Sequence, residues 1–169
     1  MAFLNNGNQV IAFAEYQDVL DADQRLFEAN EGLTDIVVED ALVRATERIC
    51  ALIKATTWYR DLIISKQPNI YLNSLADLPN VDPNKVIGRE NDFTDLCVYY
   101  ALWSILMPRI ADFNKEDNAE RAKIGFYQEK YNFRFEELIN AGDWYDLNGD
   151  GSLASVEKMP GHFSLRRVR

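Results

Sequence analysis

From residue 35 to residue 54, apolar side chains return at steps of three and four: Ile36, Val37, Leu42, Ala45, Ile49, Leu52 and Ile53. With Thr34 as N-cap and Asp35 in the first turn, this spacing predicts an amphipathic helix over 35–54. Before it, Tyr16, Val19, Leu20, Leu26 and Phe27 give a partly broken helical pattern from about Glu15 to Ala29, closed by a turn at Asn30-Glu31-Gly32 and preceded by an irregular opening. After it, Thr56 or Thr57 caps a shorter helix through Trp58, Leu62 and Ile63 that ends near Ser65. A second strong helix starts near Asp92 or Thr94 and runs through Leu96, Val98, Tyr99, Leu102, Trp103, Leu106 and Met107, apolar on nearly every face, with Pro108 bending or shortening it. A third spans about Glu116 to Asn140, and Ala141-Gly142 supplies its C-cap.

Between the short helix ending near Ser65 and the second strong helix the pattern breaks. Pro68, Pro79, Pro83 and Gly88, with several Asn and Asp, predict a long irregular loop over about 66–91, a length that points to a functional or partner-facing segment. The last twelve residues carry no core-forming period and read as an extended arm. The expected fold is therefore all-α, a bundle of roughly four to five helices, with three parts: a helical domain at 1–142, a loop at 143–157 and a basic arm at 158–169.

The loop carries the sharpest chemical signal. Asp146-Leu-Asn148-Gly-Asp150-Gly151-Ser152-Leu153-Ala-Ser-Val-Glu157 fits the calcium-loop pattern D-x-[DN]-x-[DN]-G-x5-E at every specified position. A hard cation takes six to eight oxygens, and the spacing offers them from Asp146, Asn148, Asp150, the backbone carbonyl of Ser152 and a bidentate Glu157, with a water standing in at Ala154. Gly151 makes the sharp turn and Leu153 anchors the loop. Read blandly, Asn148-Gly149-Asp150-Gly151 is a tight solvated turn, but the Glu six residues past Gly151 favours the metal. The exit helix that would begin near Ser155 is stopped by Pro160-Gly161 after about one turn. A lone loop with one helix is a poor switch, so the expectation is a structural Ca2+ clip.

Composition narrows the function. The 169 residues are 47% hydrophobic, enough for one domain with a core. A net charge of -9 argues against broad binding to a phosphate backbone, yet Lys158, Arg166, Arg167 and Arg169 make the tail cationic on an acidic body. Cys50 and Cys97 lack metal or redox spacing and read as buried free thiols in a reducing compartment. The N-terminal Met-Ala-Phe-Leu-Asn-Asn-Gly-Asn lacks the basic region of a signal peptide and is quickly followed by acids, and the most apolar run, Cys97 to Met107, is about half a membrane span, which predicts a soluble chain made in the cytosol.

Catalysis finds little support. The single histidine, His162, lies in the arm, where nothing firm is predicted to hold a general base, and no nucleophile elbow, phosphate loop, dinucleotide fingerprint or zinc spacing occurs. Adjacent acids such as Glu39-Asp40, Glu116-Asp117 and Glu136-Glu137 point in different directions on a helix. The chain is expected not to be an enzyme. Aromatics at helical spacing, among them Trp58, Tyr99, Trp103, Tyr127, Tyr131 and Phe135, read mainly as core; the surplus apolar face favours self-assembly.

The run Val38-Glu-Asp-Ala-Leu-Val-Arg-Ala-Thr-Glu-Arg-Ile49, followed by Trp58-Tyr59-Arg60-Asp61, an aromatic and Ala-rich middle helix and a tail ending Arg-Arg-Val-Arg, resembles the helical head-to-tail connector (adaptor, head-completion) proteins of tailed bacteriophages. The resemblance covers roughly residues 10 to 140 in order of elements. It implies a structural virion protein in the neck, forming a homo-oligomeric ring, typically of twelve, below the portal protein and carrying the next neck or tail protein. DNA would pass through the channel without specific binding, and neither membrane nor small-molecule substrate is implied. The arm, with Lys158, His162, Phe163, Arg166, Arg167 and Arg169, would dock on a neighbouring protein. The calcium loop is not a hallmark of that family. Two other readings stay open: a calcium-dependent interaction module built on a solitary EF-hand-like loop, and a small helical enzyme using carboxylates in a cleft.

Overall fold

The computed structural model describes residues 3–28, 30, 32–66, 74–111, 119–155, 157 and 158. The fold is mostly helical and includes a small sheet where the sequence pattern predicts only an irregular opening. Strands β1 (Leu4–Asn6) and β2 (Gln9–Ala12) pair antiparallel around Gly7, whose φ of 64° suits a tight turn. An all-α description is thus amended by one hairpin. Its inner end is fixed in the core: Phe13 N–H donates to Thr46 Oγ1 at 3.0 Å, and Thr94 Oγ1 donates to the Phe13 carbonyl at 2.8 Å.

The segment expected as one helix over 15–29 is two, α1 (Tyr16–Ala22) and α2 (Gln24–Glu28), broken at Asp23. Asp23 is buried and takes both a salt bridge from Lys123 at 2.7 Å and a hydrogen bond from the Tyr127 hydroxyl at 3.1 Å. A charge held that far from water needs such partners, and a continuous helix would not deliver it there. Helix α3 (Asp35–Lys54) has the bounds that its periodicity predicts, and α4 (Thr57–Lys66) follows after one turn.

Helix α5 (Glu90–Ala101) continues through a π-helical turn, Leu102–Leu106, into the short α6 (Met107–Ile110), so Pro108 falls inside the last turn rather than ending the element. Helix α7 (Ala119–Ala141) closes at Gly142, which takes a φ of 58° while its N–H bonds the Leu138 carbonyl. The α5 layer, with its π turn, lies between α3 and α7. The core runs along both interfaces, from Leu42, Ile49 and Ile53 through Phe93, Leu96 and Leu102 to Tyr131 and Leu138. None of the described helices is long and apolar enough to cross a membrane.

Candidate metal centre

After Gly142 the chain runs extended through Asp143-Trp144-Tyr145, and this stretch is a core element. Trp144 is fully buried against Trp58 and Phe93, with ring centroids 4.6 and 4.8 Å away, and its Nε1 donates to the Leu138 carbonyl at 2.7 Å. Tyr145 packs edge-on against Tyr59, and its hydroxyl accepts from Asp82 N–H. Bulky aromatics just past a helix-ending glycine were the available signal for this anchor, and the helical periods overlooked it.

Part of the long loop holds the other side. Val86 pairs antiparallel with Tyr145, Ile87 N–H donates to the Trp144 carbonyl at 2.9 Å, and Asp146 N–H donates to the Lys85 carbonyl at 2.8 Å. Lys85 Nζ then donates to the Leu147 carbonyl, again at 2.8 Å. Residues 82–90 therefore form a second wall for the loop's entry rather than a free excursion; residues 67–73 lie outside the described part. Arg89 clamps the same junction, donating through two nitrogens to the Asp143 carboxylate and through a third to Asp92. The Arg89 guanidinium holds the Asp143 carboxyl below its ordinary range, despite some desolvation. Leu153 reaches the Cα of Gly88 so closely that a Cβ there would stand 3.4 Å from its Cδ1.

Within the loop, the two end positions are interior and the middle ones exposed. Asp146 is 3% exposed and Glu157 0%, whereas Asn148, Asp150 and Ser152 face solvent. Gly149 and Gly151 take φ values of 74° and 79°, the left-handed bends that wrap the chain around a centre. Asp146 accepts from Gly149 N–H and Gly151 N–H, each at 2.7 Å, while Glu157 accepts from Asn148 N–H at 3.1 Å and Ala154 N–H at 2.9 Å. Burial pushes the Asp146 carboxyl upward, but the amides of Gly151, Gly149 and Asp150, with Lys85 nearby, outweigh it and leave the group below its ordinary range. Asp150 Oδ1 is occupied by the Ser152 amide and hydroxyl.

The donor set is all oxygen, which suits a hard divalent cation. Among the described residues neither Asp146 nor Glu157 has a Lys or Arg salt bridge, so the two buried carboxylates are balanced by amide dipoles and, at Asp146, by the nearby charge of Lys85. Buried carboxylates without a directly paired cation are what a bound metal ion would relieve. In the arrangement present, no three His, Cys, Asp or Glu side chains converge as a metal cluster among the described residues, because the carboxylates are turned onto loop amides. Glu157 N–H bonds the Ala154 carbonyl in a single turn, and among the described residues Ser155, Glu157 and Lys158 are not helical. Lys158 is exposed and lies close enough to Asp143 to act on its charge. His162, Phe163, Arg166, Arg167 and Arg169 lie outside the described residues.

Elsewhere the chemistry-bearing groups are quiet. Cys50 and Cys97 are free and buried, and burial pushes each thiol up to about 12. Three depressions are lined by apolar and exposed polar side chains, and a fourth holds Glu90, Asp92 and Asp143 around the Arg89 guanidinium. Comparisons with models of known families, with curated proteins and with solved structures returned no match.

Proposed function

We propose that this chain is a structural assembly subunit of the head-to-tail connector type, a helical bundle that forms a ring beneath a phage portal and docks on its neighbours through the basic arm 158–169. The observation that carries the reading is the seating of Glu157. This residue immediately precedes the arm, is fully buried, and is tied by both carboxylate oxygens to amides of a loop whose root, Trp144 and Tyr145, is embedded in the core. A cationic arm launched from so fixed a point, on a body whose net charge is strongly negative, suits docking, because ordering costs little when the base is already held. Large apolar side chains left in solvent on α7, Phe126 and Phe133, support assembly rather than catalysis.

The loop residues Asp146, Asn148, Asp150, Ser152 and Glu157 would hold a structural Ca2+ ion, which would cross-link the two ends of the loop and stiffen the arm's base. A ring needs no such ion for its bundle. The test is light scattering on the full chain across a concentration series, together with hydrogen exchange of the arm in calcium and in chelator. A closed oligomer, with arm protection that rises in calcium, supports both parts. A monomer whose binding to a partner appears only with calcium would move the assignment to an interaction module.

A further inference from the structure

Helix α3 and helix α7 carry the same spacing with opposite charges. On α3, Val43, Glu47, Cys50 and Lys54 line one wall of an open apolar groove of about 710 Å³ whose other walls include Val10 of β2 and Val81. On α7, Phe126, Lys130, Phe133 and Glu137 follow the same steps of four, three and four, and all four are exposed. Such positions share one helix face over a length of about 16.5 Å.

We infer that the α7 face of one subunit seats in the α3 groove of the next, the two helices running parallel in that register. Phe126 then meets Val43, Lys130 meets Glu47, Phe133 enters the groove over Cys50, and Glu137 meets Lys54. Each charge finds its opposite and each aromatic finds an apolar wall. Phe126 and Phe133 are 52% and 71% exposed on the isolated chain, an unusual state for phenylalanine, and Lys130 Nζ lies 4.9 Å from the Phe126 ring centroid. Glu137 is held at the face by Arg134 at 2.7 Å and Lys54 by Asn80 at 2.9 Å, so both enter the contact already oriented.

The two surfaces differ and sit on helices separated by α5, which makes the contact heterologous: it propagates from copy to copy, and it closes as a ring when the rotation between neighbours divides a full turn. This inference rests on the connector reading and names the interface that reading requires.

Paired cysteines test it in the full-length chain. Glu47→Cys with Lys130→Cys in one chain is expected to give, on mild oxidation, a ladder extending beyond dimers, at least tenfold faster than Glu47→Cys with Glu137→Cys, which is two helical turns out of register. Equal rates for the two pairs would overturn the proposal. So would dimers from Lys130→Cys alone forming as fast as the ladder, which would mean α7 pairs with its own copy. Charge reversal gives a second reading: Glu47→Lys and Lys130→Glu each weaken association and together restore it, and failure of the restoration also overturns the register. A ring seen by light scattering without register-specific cross-linking removes this interface alone, whereas a register-specific ladder that never closes removes the ring reading and leaves the interface.

Discussion

The indole of Trp144 lies against that of Trp58, centroids 4.6 Å apart and planes inclined by 30°. Through that contact the entry of the loop is fastened to α4, two elements separated by about half of the chain. Trp144→Ala is expected to cost about 3–5 kcal/mol by opening a cavity at a fully buried site. Trp144→Phe keeps most of the packing but leaves the Leu138 carbonyl without its indole donor, at roughly 1 kcal/mol. Urea unfolding of both variants measures the difference.

Calcium should stabilise the chain through Glu157. With the ion at about a hundred times its dissociation constant, linkage adds about 2.7 kcal/mol to the unfolding free energy. Glu157→Gln removes the bidentate ligand and the buried charge together, so its thermal midpoint is expected to be indifferent to calcium while the wild type's rises. Differential scanning calorimetry with calcium and with chelator reads both.

The Arg89 and Asp143 pair sets a pH dependence. Because the folded carboxyl titrates below its unfolded value, the unfolded state binds the extra proton, and the pair's contribution is complete above the unfolded carboxylate range near about 3.9. It is lost as pH falls through the lowered folded value. Asp143→Asn should therefore cost roughly 1 kcal/mol at pH 7, discounted for the partial exposure of the pair, and almost nothing near pH 2. Denaturant midpoints taken along that pH range decide it.

Gly88→Ala tests the loop's second wall. The φ of 82° disfavours any Cβ, while Leu153 Cδ1 would only come into van der Waals contact with it, so a loss of about 1 kcal/mol is expected from the backbone alone. Shortening the neighbour with Leu153→Ala should not rescue it, because the backbone strain remains.

The native thiols should be sluggish. With burial raising both to about 12, both thiols are expected to react slowly with a thiol reagent at pH 7, Cys97 only as fast as the chain opens and Cys50, at the floor of the α3 groove, ahead of it. Stopped labelling followed by mass spectrometry measures it.

What could be read in the sequence follows the strength of local pattern. Helix α3 was legible to the residue because its stripe is long and its N-cap and first-turn acid agree with it. The hairpin was not, since three- and four-residue strands are too short to show a period of two, and only Asn6-Gly7 hinted at the turn. The break at Asp23 depends on Lys123 and Tyr127, about a hundred residues away, and no local pattern contains that. The calcium-loop residues were named from spacing alone, yet the burial of Asp146 and Glu157 against the exposure of the three between them comes from Trp144, Tyr145 and the 82–90 wall. The matching steps on α3 and α7 were present in the sequence throughout, but only the fold reveals that one set lines a groove and the other faces solvent.

Self-assembly is the central claim, and the mass of the particle in solution tests it most directly. Light scattering on the full-length chain, carried from micromolar to several hundred micromolar in the presence of calcium, is predicted to show a discrete oligomer of fixed stoichiometry, seen as closed rings by electron microscopy of the same sample. A mass of 19.5 kDa, that of a single chain, at every concentration would contradict it.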